Sequence, residues 1–256
     1  MNASGIETAS RLIGKDDAAP VIAQNLGGQS PHVLICDHAG RAIPRRLGRL
    51  GLGDSEIDRH IGWDIGAGAV ADLLAARLDA VVLRQAYSRL VIDCNRPLDQ
   101  PSLIPETSDW TPIPGNLGLS PAGRAARIAE IFEPYHGAIA AAVDARLDAG
   151  RPVSVIAVHS FTPAMDGFER PWRFGVLHGG DSALSVRVLE LLRREGFETG
   201  DNQPYALGST DYSVPHHAQS RGLDYLELEI RQDLIAEEAG QAWAAEFLAR
   251  VIEAAR

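Results

Sequence analysis

The sequence predicts an α/β/α sandwich, a single domain over residues 1–256 built on a mixed, largely parallel sheet. Three observations carry this. Apolar runs of strand length alternate with stretches of helical periodicity, several of those runs end abruptly in polar residues, and no internal repeat or low-complexity tract divides the 256 residues. Strands buried on both faces read as continuous apolar runs, and helices must then cover the sheet.

The elements follow in order. After a polar, partly irregular leader over residues 1–30, His32-Val-Leu-Ile-Cys-Asp-His38 reads as a buried strand with Asp37 and His38 at its end. Over 55–78, Ile57, Ile61, Ile65, Val70, Leu73, Leu74 and Leu78 recur at three- and four-residue intervals and predict a helix. Residues 80–85 and 90–93 predict two further strands, separated by Tyr87-Ser88-Arg89. Pro and Gly crowd 97–118, which predicts a long loop, and loops of that length are usually functional or disordered. Ser120 caps and Pro121 opens a helix to Asp148, kinked at Glu133-Pro134 and stopped by Gly150. A β-branched strand over 153–158 runs into His159-Ser160, and another over 174–177 precedes His178. A helix over 182–195, a loop through Asn202-Gln-Pro-Tyr205, a strand over 225–230 and a final helix to Arg256 complete the chain.

Composition excludes several function classes. Against 24 Lys and Arg stand 34 Asp and Glu, a formal charge of −10, so no basic face is available to nucleic acid or an anionic membrane. No apolar run approaches the roughly 20 residues of a membrane span. Cys36 and Cys94 form no CxxC pair and are too few for a disulfide scaffold, which predicts a reducing, cytoplasmic setting. Lys15, the sole lysine, lies in the polar leader, which argues against Schiff-base chemistry, and Gly14-Lys15 lacks the rest of a phosphate-binding loop. There is no GxSxG elbow and no GxGxxG after a strand. A monomer or small homo-oligomer is expected.

In open α/β sheets ligands bind beyond the carboxyl ends of the strands. Four runs end there suggestively, in Asp37-His38, in Asp93-Cys-Asn95-Arg96, in His159-Ser160 and in Glu227-Leu-Glu229-Ile-Arg231. His38 and His159 read either as hydrogen-bonded strand-end histidines or as a pair of metal ligands. His60 and Asp64 are four apart on the predicted helix, a spacing that can chelate one ion or simply form a solvated face; Asp58 points elsewhere. Glu227 and Glu229 share a strand face, and a partly buried carboxylate beside a metal can take a proton from water. Arg89 and Arg96 suit a substrate carboxylate, or else pair with Asp93 or Asp99. His216-His217 and Tyr212 precede the glutamate strand and could complete a pocket, or face solvent.

These segments together resemble the N-formylglutamate amidohydrolase family, from about His32 to the last helix. The carriers are Asp37-His38-Ala39-Gly40, Asp58-Arg-His60-Ile-Gly-Trp-Asp64-Ile-Gly66, Tyr87-Ser-Arg89-Leu-Val-Ile-Asp93-Cys-Asn95-Arg96-Pro97, Val158-His159-Ser160, Asn202-Gln-Pro-Tyr205 and Glu229-Ile-Arg231-Gln232-Asp233. The resemblance implies a zinc-carboxypeptidase-like fold, a zinc ion or another divalent transition metal, a water nucleophile and a glutamate base. Carried onto matching positions, His38 and His159 become metal ligands, Glu229 the base, and Asn95 and Arg96 a carboxylate clamp; Arg89 and His217 are expected on the substrate from their own places in the chain. Zinc carboxypeptidases place His-x-x-Glu at the first ligand pair, whereas this chain has His38-Ala-Gly-Arg41, so His60 or Asp64, with Asp58 behind them, is expected to complete the metal site. The implied reaction is hydrolysis of the amide of a small acidic N-acyl amino acid, N-formyl-L-glutamate first, as in histidine degradation. The alternatives are a carboxypeptidase-like peptidase, another N-acyl amino-acid deacylase, or a silent binder of acidic metabolites.

Overall fold

The computed structural model describes residues 11–256. Seven strands form one sheet: β1 (Val21–Gln24), β2 (His32–Cys36), β3 (Val81–Gln85), β4 (Ser154–Phe161), β5 (Phe174–Leu177), β6 (Thr199–Asp201) and β7 (Asp224–Arg231). Their order is β1-β3-β2-β4-β7-β5-β6. The pairs β3/β2, β2/β4, β4/β7 and β5/β6 are parallel, and β1/β3 and β7/β5 are antiparallel, so the sheet is mixed and largely parallel.

The two sheet faces bury different sets of side chains. On one, Leu34, Val82, Ile156, Val158, Leu226 and Leu228 pack under helices α1 (Ala67–Leu78), α4 (Ala183–Arg194) and α5 (Glu238–Ala254). On the other, Val33, Ile35, Val81, Val155, Ala157 and Tyr225 pack under helix α3 (Glu133–Asp148). Alternation along β4 and β7 therefore sends His159, Glu227 and Glu229 to the second face, beyond Ala157 and Tyr225.

Helix α3 is preceded by α2 (Pro121–Arg127), whose Ser120 hydroxyl accepts from the Gly123 N–H. The expected kink at Glu133-Pro134 is a widened π turn over Ile128–Phe132, because Pro134 can donate no hydrogen bond to the turn before it.

Three sequence expectations need correction. The helix over 55–78 is broken: a short turn Asp54–Ile57 is followed by irregular backbone until α1 begins at Ala67. Glycines make the break. A Cβ on Gly62 would lie 2.2 Å from the Ile57 carbonyl oxygen, and Gly66 has φ +79° with the Ile235 carbonyl oxygen 2.1 Å from where its Cβ would be. Residues 90–93 are not a strand but a buried turn, in which Ser88 Oγ accepts from Leu90 N and donates to Gly62 O. The loop over 97–118 contains a two-residue hairpin, Thr107–Ser108 with Thr111–Pro112. Within the partly irregular leader, β1 pairs with β3, and residues 1–10 lie outside the described residues.

Candidate active site

The broken helix positions Asp64. Its backbone N–H donates to the His38 carbonyl at 2.9 Å, which hangs the 58–66 segment on the end of β2. Asp64 Oδ2 then lies 3.3 Å from His38 Nδ1 and 2.9 Å from His159 Nδ1. One ligand atom from each of these buried residues falls within 4.8 Å of the others. His38 follows β2 and His159 sits on β4, so two neighbouring parallel strands and one loop converge on a point.

The remaining ring nitrogens face carboxylates as well. His38 Nε2 is 2.7 Å from Asp93 Oδ1, and His159 Nε2 is 3.3 Å from Asp37 Oδ2. Asp37 is held by the Ser213 hydroxyl at 2.6 Å, and Asp93 by Arg89 at 2.7 and 3.1 Å. Metal-binding histidines typically use their second nitrogen in this way, which fixes tautomer and ring orientation.

Electrostatics also favour a cation. Asp37, Asp64, Asp93, Glu227 and Glu229 are all buried. Burial alone would push the Asp64 and Asp93 carboxyls up, but the histidines and, for Asp93, Arg89 hold both well below the usual range. Asp37 is brought down to about 2 against its burial by His159 and His38. His159 is raised well above 6.5, since bonds to Asp37 and Asp64 outweigh its burial. Two imidazole nitrogens and one carboxylate oxygen are a donor set for zinc or a similar divalent ion, and a cation there would neutralise buried charge that otherwise carries a desolvation penalty. The residues fit such an ion.

The cluster forms part of the wall of a cavity of about 530 Å³, within the roughly 300–1,000 Å³ of small-molecule sites. Glu227 and Glu229 line it from β7, with Glu229 level with His159 across the parallel β4/β7 pair. Burial pushes both carboxyls up to about 8 despite the nearby His159. Glu229 Oε2 and Glu227 Oε2 have no hydrogen-bond partner among the described residues.

The other expected site residues divide. Arg89, Asn95, Arg96 and His60 also line the cavity. Arg89 pairs with Asp93 and lies 3.4 Å from Asp64, which is the ion-pair alternative the sequence left open. Asn95 Oδ1 accepts from the Tyr212 and Ser213 N–H groups at 3.0 and 2.9 Å. Arg96 donates to the Asn95 and Thr210 carbonyls and stands 3.6 Å from Asp211. His60 is outside the metal cluster: its Nε2 is 3.5 Å from Asp109 on the hairpin, because the glycine break removes the shared helix face with Asp64. Asp58 is an exposed ion-pair partner of Arg41. His217 does not line the cavity. It is buried on the short helix Ser213–His217, 2.9 Å from His136 Nδ1, with the two rings stacked.

Sequence reasoning missed the parts played by Asp37 and Asp93 as histidine partners. The available signal was an aspartate beside each candidate ligand run, but only the turn over 90–93 shows that Asp93 meets His38. Tyr205 and the hairpin residue Asp109 were also missed as cavity-lining groups.

The model of the N-formylglutamate amidohydrolase family matches residues 30–236. Among solved structures, a gene product from Agrobacterium tumefaciens is similar with a TM-score of 0.93 and 36% identity, over 96% of this chain and 98% of that one. The N-formylglutamate amidohydrolase from Ralstonia eutropha JMP134 shares the fold with a TM-score of 0.74 and 20% identity, over 93% of this chain and 97% of that one. No curated protein matches the chain. No helix among the described residues is long and apolar enough to cross a membrane.

Proposed function

The chain belongs to the N-formylglutamate amidohydrolase family, and from that premise we propose that it is a divalent-metal-dependent hydrolase cleaving N-formyl-L-glutamate to L-glutamate and formate. The observation that carries this reading is the convergence of His38 Nδ1, His159 Nδ1 and Asp64 Oδ2 beside a buried, unpartnered glutamate oxygen in one cavity. His38, His159 and Asp64 would hold the ion, with zinc the first choice. When bound, such an ion supplies a Lewis acid for an amide carbonyl and makes water more acidic.

The protein's own groups do the rest. Glu229, with its carboxyl raised to about 8 by burial, is matched to exchange a proton near neutral pH. Its free oxygen takes the proton of the attacking water and returns it to the amide nitrogen as the C–N bond breaks, so the amine leaves neutral. Arg96, hydrogen-bonded to carbonyls and only loosely paired with Asp211 at 3.6 Å, would turn its guanidinium to the substrate α-carboxylate, and Asn95 fixes the Tyr212 and Ser213 backbone beside it. Arg89 holds Asp93 and through it the His38 ring. The free, buried cysteines accord with a cytoplasmic setting.

The test measures metal in purified protein beside its His38→Ala and His159→Ala variants, together with glutamate release from N-formyl-L-glutamate. About one ion per chain, lost in both variants, with release only by the parent, supports the reading. Metal without release redirects the search to acetyl and peptidyl substrates; no metal after zinc is restored removes the hydrolase reading.

A further inference from the structure

Arg170 is 7% exposed, and none of the ion pairs among the described residues involves it. Its partners are uncharged. Nη1 donates to the Thr162 carbonyl and hydroxyl at 3.3 and 3.0 Å and to the Tyr205 hydroxyl at 3.1 Å. Nη2 faces only the Met165 thioether, at 3.1 Å. The guanidinium carbon lies 5.0 Å from the Tyr205 ring centroid and 5.8 Å from that of Phe161. Phe161, Thr162, Met165 and Tyr205 all line the active-site cavity, so this charge sits directly behind its wall.

Arg127 and Arg146 are also buried and Arg89 is partly so, but none is placed as Arg170 is: Arg146 donates to the Ala142 and Gly28 carbonyls, which do not line the cavity. Arg127 donates to the Val91 and Gly115 carbonyls and the Asn116 amide oxygen, and these pin loop backbone away from the cavity. Arg89 is neutralised by Asp93 and Asp64. A thioether is a weak acceptor, and a methionine side chain has three rotatable bonds with which to move aside. Arg170 therefore presents a buried positive charge with one prong held by Tyr205 and Thr162 and the other merely covered. A carboxylate oxygen replacing the sulfur would make the strong bond that Nη2 lacks.

We propose that Arg170, with Tyr205, is the subsite for the side-chain carboxylate of the substrate, and that Met165 occupies the anion's place in the free protein. This rests on the amidohydrolase reading for the direction of the substrate. The α-carboxylate is attached to the carbon that bears the scissile nitrogen and belongs near the metal cluster, with Arg96 in the same cavity wall. Arg170 contacts none of the three cluster residues and lies behind Thr162, Met165 and Tyr205 of the cavity wall, where the far end of an acidic side chain would reach once Met165 moves aside. The substrate class that follows is an N-acyl amino acid with an acidic, glutamate-length side chain.

The experiment uses full-length, zinc-loaded protein. Calorimetric affinities for L-glutamate and L-glutamine are measured beside kcat/KM for their N-formyl derivatives, in the parent and in Arg170→Met, Arg170→Lys and Tyr205→Phe. The parent is expected to favour the glutamate member of each pair by about 10- to 100-fold, the range a charged hydrogen bond commands. Arg170→Met should abolish that preference. Arg170→Lys should keep part of it, since an ammonium lacks the planar fork, and Tyr205→Phe should lower it with Arg170 still in place. A parent without preference overturns the subsite, as does a preference that survives in Arg170→Met, or in Tyr205→Phe and Arg170→Lys together should the Met variant not fold. A parent that hydrolyses neither formyl derivative defeats the reaction reading alone, and the calorimetric preference still decides the subsite.

Discussion

His38 turns its Nε2 onto Asp93 Oδ1 at 2.7 Å and so directs its Nδ1 toward Asp64. The ring is thereby oriented before any ion arrives. Replacing Asp93 by Asn keeps the shape but removes the charge that polarises the imidazole. Zinc affinity should fall by about 10- to 100-fold, read by competition against a chelating dye; unchanged affinity would show that Asp93 serves only Arg89.

Glu229 is buried and level with His159, yet it is not one of the three clustered ligands. Glu229→Gln should lower kcat by about 10²- to 10⁴-fold, the usual contribution of a general base, with metal content unchanged. Paired metal analysis and steady-state rates check this. Full activity in the variant would remove Glu229 from proton transfer.

Glu227 gives metal-free protein a pH signature. Its carboxyl is raised from 4.5 to about 8, chiefly by burial, so between those values the folded state keeps a proton that the unfolded chain has released. Its stabilising share is complete below pH 4.5 and is lost as pH rises through 8. His136 and His217, lowered to about 4 and about 3 by burial, act oppositely, but only below pH 6.5. Urea unfolding should therefore show stability falling from pH 6.5 to 8, with about 1 kcal/mol or more of that fall due to Glu227. Glu227→Gln should flatten the fall; an equal slope in both proteins would refute the assignment.

His217 tests the opposite expectation. It is buried against His136, whose other nitrogen lies 2.9 Å from the Cys94 carbonyl, and it does not line the cavity. His217→Leu leaves a buried histidine nitrogen unpaired and should cost about 1–3 kcal/mol of stability, while KM for the formyl substrate stays at the parent's value. Thermal unfolding and steady-state kinetics separate these; a raised KM would return His217 to the substrate.

Much of this architecture was legible in the chain. The strand positions of His38, His159 and Glu229 were readable because continuous apolar runs there give way to polar residues that the structure keeps buried around one cavity. What was not legible came from glycine and from turns. The spacing of Ile57, Ile61 and Ile65 reads as helix, and only the close approach of Gly62 and Gly66 to distant backbone shows that the helix must break and release Asp64. Leu90, Val91 and Ile92 read as strand because a buried turn satisfies the same apolar demand through the Ser88 side chain. Arg170 escaped notice because nothing in sequence tells a buried guanidinium with uncharged partners from an ordinary surface arginine.

The parallel pairing of β4 with β7, in which Glu229 stands opposite His159 while Leu228 and Ile230 are fully buried, sets where the chain can tolerate a change in length. One residue inserted into β7 before Glu229 would turn the carboxylates toward α1, α4 and α5 and drive leucines into the cavity. The loop over 97–118 joins a turn to a helix with no such alternation to preserve. Relatives that accept other acyl groups would therefore be expected to gain or lose residues in that loop, and to keep β7 at constant length.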